Sequence, residues 1–143
     1  MKTFNLSEFL PYQLAVLAGR TSAGFSECYR DTYGFSIPEW RVMAHLNQEE
    51  NVSVREIHQR VEMDKSKVSR AAQSLELKGF IAKQTDPVDR RLVALSLTRK
   101  GKRTMAEIAP LADEFEERLL SVLEPDEQVV FLSAVEKLLH SGT

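Results

Sequence analysis

With 143 residues, 43% of them hydrophobic and 28% charged, the chain has the length of one core-forming domain, which excludes two large domains and a disordered composition. Its single cysteine excludes an internal disulfide, and Lys2, Glu8, Arg20, Glu27 and Arg30 interrupt any early signal-peptide core or ~18-residue membrane span, so a reducing, cytoplasmic setting without membrane attachment is expected. The net charge of -2 is unevenly spread: Ser53 to Arg103 hold 13 Lys/Arg against 6 Asp/Glu, net +7, and the rest of the chain is net -9. A local basic surface of this kind suits a polyanion, because affinity follows the local field rather than whole-chain charge.

In chain order, Leu6, Leu10, Leu14, Leu17, Thr21 and Phe25 step by three or four and predict one long helix from about Ser7 to Arg30, ending near Tyr33-Gly34. Ser36 and Glu39 form a capping box with Pro38 in the first turn, followed by the stripe Trp40, Met43, Ala44 and Leu46. A second box, Ser53 and Glu56, opens a short helix through Val54, Ile57, His58 and Val61. After a break at Glu62-Met63-Asp64, Asp64 is expected to cap a helix whose apolar face is Val68, Ala71, Ala72 and Leu75 and which Gly79 stops.

The period then changes. Residues 80–85 and 92–97 read as two strands of a hairpin, joined by the charged turn Asp86-Pro87-Val88-Asp89-Arg90-Arg91. Thr98 is placed to cap a long helix with Met105, Ile108, Ala112, Phe115, Leu119 and Val122 at heptad-like spacing, kinked by Pro110. Glu124-Pro125 begins a last helix carrying Leu132, Val135 and Leu139 and ending at Gly142. The order predicts a mainly α (α+β) chain: a winged helix-turn-helix over residues 36–98, flanked by helices in 1–33 and 99–143, within a single unit spanning 1–143.

Within this frame the chemistry points to a duplex. Ser66, Arg70 and Gln73 face away from the apolar side of their helix, with Lys67, Ser69 and Ser74 beside them. Short hydroxyls permit close approach, arginine fits guanine O6/N7 and glutamine fits adenine N6/N7. An ordinary solvated face mixes acids with bases, yet Lys65 to Leu75 contain no acid; Leu77, on the same side, does not fit the pattern. At the hairpin turn, Arg90 and Arg91 suit the negative potential of a narrow minor groove, with Asp86 or Asp89 supporting one of them, although Asp-Pro also occurs in turns for backbone reasons alone. Ser53 and Arg55 at a helix start can bind a phosphate through N–H groups and the helix dipole, and capping alone also accounts for Ser53.

Four segments carry a resemblance: Asp64-Lys65-Ser66-Lys67-Val68-Ser69-Arg70, Leu75-Glu76-Leu77-Lys78-Gly79-Phe80-Ile81, Asp86-Pro87-Val88-Asp89-Arg90-Arg91, and Leu97-Thr98-Arg99-Lys100-Gly101. In this order and spacing the chain resembles the MarR family of bacterial transcriptional regulators, winged-helix dimers that mostly repress and are often released from DNA by small ligands. The resemblance implies base and phosphate contacts at Ser66, Lys67, Ser69 and Arg70, a wing tip at Arg90, a supporting acid at Asp89, and a dimer built from the first helix and the last two. The apolar stripes at both ends independently exceed what one small winged helix can cover, so a homodimer on a pseudo-palindromic double-stranded DNA site is expected.

The family's effector position implies a small aromatic or carboxylic ligand near Arg20, Tyr29, Trp40, Arg41 and His45, although Trp40 and His45 also read as interior residues. Cys28 departs from the redox-sensing relatives, whose cysteine sits nearer the start of the first helix, and reads as a buried, inert thiol. Catalysis is not expected. His45, His58 and His140 lack metal-ligand spacing, no phosphate-cradling glycine loop or nucleophile elbow occurs, and neither metal nor cofactor is called for. The competing reading is a winged helix that serves as a protein-interaction module without specific DNA binding.

Overall fold

A computed structural model describes residues 3–49, 51–61, 63–85, 88 and 93–142. A 3₁₀ turn, Leu6–Glu8, precedes α1 (Leu10–Ser26), α2 (Arg30–Tyr33), α3 (Ile37–Gln48), β1 (Val52–Ser53), α4 (Val54–Val61) and α5 (Lys65–Leu77). Then follow β2 (Ile81–Thr85), β3 (Val93–Leu97), α6 (Arg99–Leu120) and α7 (Pro125–Leu139). The winged helix-turn-helix of the sequence reading is therefore present, in a mostly helical chain with one small antiparallel sheet.

The first helix is not continuous from Ser7 to Arg30. Asn5 caps the 3₁₀ turn through Ser7 N–H at 3.1 Å, and α1 starts only at Leu10, with Pro11 in its first turn, where a missing donor costs nothing. It ends where Cys28 N–H and Tyr29 N–H turn back to the carbonyls of Phe25 and Ser26 at 2.9 and 3.2 Å. These tight bonds rotate Tyr29 into the core, where it is 1% exposed. The short α2 then stops at Gly34, whose φ of 74° is the left-handed conformation that glycine adopts without strain.

The α3 capping box is complete: Glu39 N–H donates to Ser36 Oγ at 3.2 Å and Ser36 N–H to Glu39 Oε1 at 2.9 Å. Asp64 stands at the start of α5, but its side chain makes no capping bond; its carbonyl instead accepts from Lys67 and Val68 N–H at 3.0 and 3.1 Å. Gly79, at φ 84°, lets Phe80 N–H return to the Leu75 carbonyl at 3.0 Å and closes α5 as the sequence indicated.

The sheet has the order β1-β3-β2, with Ile81 opposite Leu97 and Thr85 opposite Val93 in the hairpin. Its third strand escaped the sequence reading, because two residues carry no periodicity; Val52 pairs with Leu95 and Ser53 with Ala94. Between sheet and helices lies one core that includes Val42, Met43, Leu46, Val52, Ile57, Val68, Leu75, Ile81, Leu95 and Ile108.

Two compact units divide the chain, one ending at Pro110 and the other beginning at Leu111. Helix α6 continues through Pro110. It ends at Leu120, so Val122 falls beyond the helix, in a turn, and is 87% exposed. The final helix stops at Leu139 rather than Gly142, and Glu124 itself supplies its N-terminal capping box with Glu127.

Candidate nucleic-acid interface

The surface is built on α4 and α5. Ile57 from α4 and Val68, Ala71, Ala72 and Leu75 from α5 are all buried, which sets which side of α5 faces the core. In the turn between the two helices Met63 is buried, and its carbonyl accepts a short hydrogen bond from His58 Nδ1–H. Only a donor can face a carbonyl there, so His58 carries a proton on Nδ1.

With its apolar side held, α5 turns Ser66, Lys67, Ser69, Arg70 and Gln73 to solvent, and all five are exposed. Among the described residues neither Lys67 nor Arg70 has an acidic partner, so their charge is available to a polyanion. Leu77 extends the same helix with 83% exposure, an apolar residue at its far end. Arg55 is exposed at the second position of α4, whereas Ser53 is half-buried and committed locally: its Oγ accepts Glu56 N–H at 3.1 Å and donates to Glu56 Oε1 at 3.2 Å. The tip residues Asp86, Asp89, Arg90 and Arg91 lie outside the described residues.

The base of the wing is described in full. Thr98 Oγ1 caps α6 by accepting Gly101 N–H at 3.1 Å and donates to the Gly79 carbonyl at 2.7 Å. Lys100 Nζ donates to the Lys78 carbonyl at 2.9 Å and stands 4.3 Å from the centre of the Phe80 ring. Gly101 packs so closely on the Phe80 carbonyl that no side chain fits between them. The Leu97-to-Gly101 segment thus joins wing and helix by contact, without a linker.

A linkage absent from the sequence reading connects α3 to α5. Glu39, 6% exposed, accepts from Lys78 Nζ at 2.9 Å, and the same ammonium donates to the Gly34 carbonyl at 3.0 Å. Burial by itself raises the Glu39 pKa, but the bonds from Ser36 and Lys78 outweigh it and hold the carboxyl below its ordinary value. The sequence contained only half of this arrangement, the local Ser36–Glu39 box; Lys78 lies 39 residues away and no periodic pattern signals it. Beside Glu39 a cleft of about 350 Å³ is lined by Ser36, Pro38, Lys67, Arg70, Ala71 and Ser74.

The suggested ligand residues are partly assembled. Tyr29 stacks on Trp40 with ring centres 5.3 Å apart, and Phe25 meets Trp40 edge-on at 5.2 Å. Burial raises the Tyr29 pKa, partly offset by the charge of Arg41, whose Nη2 donates to Ser22 Oγ at 3.4 Å. His45 is half-buried, and its pKa is lowered first by burial and then by the charge of Arg60. Arg20 is exposed on α1. Cys28 is half-buried rather than fully enclosed. Among the described residues no helix is long and apolar enough to cross a membrane, and no group of three or more His, Cys, Asp or Glu is placed to hold a metal.

Comparison with known proteins bears on the same surface. The sequence model described as MarR family matches residues 33–92, from the end of α2 into the wing. The uncharacterized HTH-type transcriptional regulator YkoM of Bacillus subtilis (strain 168) is 30% identical over 110 residues, covering 76% of this chain and 71% of the relative. Among solved structures, a MarR/EmrR family transcriptional regulator from Acinetobacter sp. ADP1 is 28% identical with a TM-score of 0.83, covering 96% of this chain and 97% of that one. The fold is also that of Bordetella bronchiseptica BpsR, whose DNA binding is regulated by 6-hydroxynicotinic acid; there the TM-score is 0.84 at 22% identity, over 97% of this chain and 99% of that one. The chain belongs to the MarR family of transcriptional regulators.

Proposed function

We propose that the chain is a sequence-specific DNA-binding repressor acting in the cytoplasm as a homodimer, with residues 36–98 as its DNA-binding lobe and residues 1–33 and 99–143 as its dimerisation helices. The observation that carries this reading is the α5 surface: an acid-free run of exposed hydrogen-bonding side chains on a helix whose opposite side is buried. Ser66, Lys67, Ser69, Arg70 and Gln73 read the major groove, Ser53 and Arg55 meet phosphate, and Arg90 and Arg91, supported by Asp86 and Asp89, enter the minor groove.

Exposed apolar residues at both ends support the dimer. Leu10, Leu14 and Leu17 on α1 are 53%, 45% and 45% exposed, and Val129, Val130, Leu132 and Leu139 on α7 are 70%, 67%, 47% and 75% exposed. Surface of this kind is normally covered by a partner. A two-fold pair places its recognition helices about 34 Å apart, on half-sites separated by roughly one turn of DNA.

Release by a small aromatic or carboxylic ligand near Arg20, Tyr29, Trp40, Arg41 and His45 is the regulatory part of the proposal; the 6-hydroxynicotinic acid of the BpsR neighbour is of this chemical class. Selection of bound duplexes from a random pool tests the reading, with an inverted repeat as the expected result. Affinity should collapse between about 50 and 200 mM salt. No binding to any duplex at low salt would instead favour a protein-interaction module.

A further inference from the structure

We infer that Glu39 and Lys78 form a positioning latch for the recognition helix, setting how α5 presents its base-reading side chains without touching DNA; the inference rests on the operator-binding reading. Three observations meet at one carboxylate. Glu39 sits in the first turn of α3 and is almost fully buried. It accepts Ser36 N–H from its own helix start and the Lys78 ammonium from the C-terminal cap of α5. Lys78 extends the grip to the Gly34 carbonyl, at the point where α2 ends.

The donor Lys78 stands at the C-terminal end of α5, and the reading residues Ser66 and Arg70 in its N-terminal half. The apolar contacts of Val68, Ala71, Ala72 and Leu75 resist lifting of α5 but, being non-directional, set its rotation less sharply. Hydrogen bonds to a fixed carboxylate are directional. A side-chain tip at ~6 Å from a helix axis moves about 1 Å for every 10° of rotation, enough to spoil a bidentate base contact while leaving attraction to phosphate nearly unchanged. The latch therefore bears on discrimination more than on affinity for DNA in general.

The test compares wild type, Glu39→Gln, Lys78→Met and Lys78→Arg on two duplexes, the one recovered from the random pool and a scrambled sequence of equal composition, each protein first shown to be folded by circular dichroism. Glu39→Gln and Lys78→Met should each lower the ratio of selected to scrambled affinity about tenfold. Their binding to the scrambled duplex, and its salt dependence, should stay as in wild type. Lys78→Arg, which can still donate to both oxygen atoms, should restore the ratio, and the double variant Glu39→Gln/Lys78→Met should be no worse than either single change.

Equal ratios in wild type and the folded variants, or additive losses in the double variant, overturn the latch. If Glu39→Gln does not fold, Lys78→Met carries the same comparison. A wild type that fails to discriminate the two duplexes overturns the operator reading itself, a result distinct from discrimination that survives loss of the latch.

Discussion

In Gly101→Ala, the added methyl group would overlap the Phe80 carbonyl oxygen and lie 3.2 Å from Leu97 Cδ2. The carbonyl has little freedom to retreat, since it accepts Thr98 N–H at 3.0 Å. Overpacking of this kind costs ~1–3 kcal/mol, and weakening a hydrogen bond worth ~0.5–1.5 kcal/mol adds to it. The gain in helix propensity from glycine to alanine is at most ~1 kcal/mol. The balance is a loss of about 2 kcal/mol, or roughly 6 °C in Tm for a chain of this size.

Gly19 supplies the control. It lies inside α1, about 200° round the helix from Leu17, and a Cβ there meets nothing within 4 Å. Gly19→Ala should therefore gain ~0.5–1 kcal/mol and raise Tm by roughly 2–3 °C. Thermal unfolding followed by circular dichroism, with urea midpoints as a second measure, reads both variants. A Gly101→Ala protein melting at or above the wild-type temperature would refute the argument from close contact.

Arg70→Ala should remove ~1–3 kcal/mol of discrimination at one base position per half-site, read by competition among single-base variants of the selected duplex; an unaltered preference would end its assignment as a base reader. Arg90→Ala should weaken binding most where A·T-rich sequence flanks the site, and indifference to flanking composition would count against insertion of the wing. Leu132→Asp, placed among the exposed apolar residues of α7, should shift sedimentation from dimer to monomer at micromolar concentration; an unchanged species would remove α7 from the interface. Because burial and Arg60 lower the His45 pKa beneath 6.5, the folded chain binds this proton less readily than the unfolded chain does. Its stabilising contribution is complete above pH 6.5 and declines as pH falls through the folded-state value; urea midpoints from pH 7.5 to 5 should show less of this decline in His45→Gln.

Helix starts marked by short-range chemistry were legible in the sequence. Ser36 with Glu39, Ser53 with Glu56 and Thr98 all act as caps in the fold, and Gly34 and Gly79 end their helices with positive φ. The α5 faces were equally legible, since four apolar residues at helical spacing fix which side is buried and hence which side remains for DNA. Where tertiary packing overrides local preference, the pattern failed. The stripe from Leu6 to Phe25 gives no sign that Tyr29 will be drawn into the core and break the helix at Glu27 to Tyr29. Asp64 has the residue type of a cap without the bond; only its carbonyl meets the first turn, at Lys67 and Val68 N–H. Lys78 and Glu39 meet only after the chain has folded back over 39 residues, a distance at which helical periodicity says nothing.

The pairing of Ser53 with Ala94 has a mechanical corollary. Ser53 shares its backbone with the short strand and its hydroxyl with the first turn of α4, so the middle strand of the wing and the leading helix of the helix-turn-helix are riveted at a single residue. A displacement of the wing's middle strand is therefore passed directly to α4. Under the proposed mode of binding this couples the wing to the helix-turn-helix, and a duplex that is overwound or sharply bent between the two grooves should bind less well even when every base is correct.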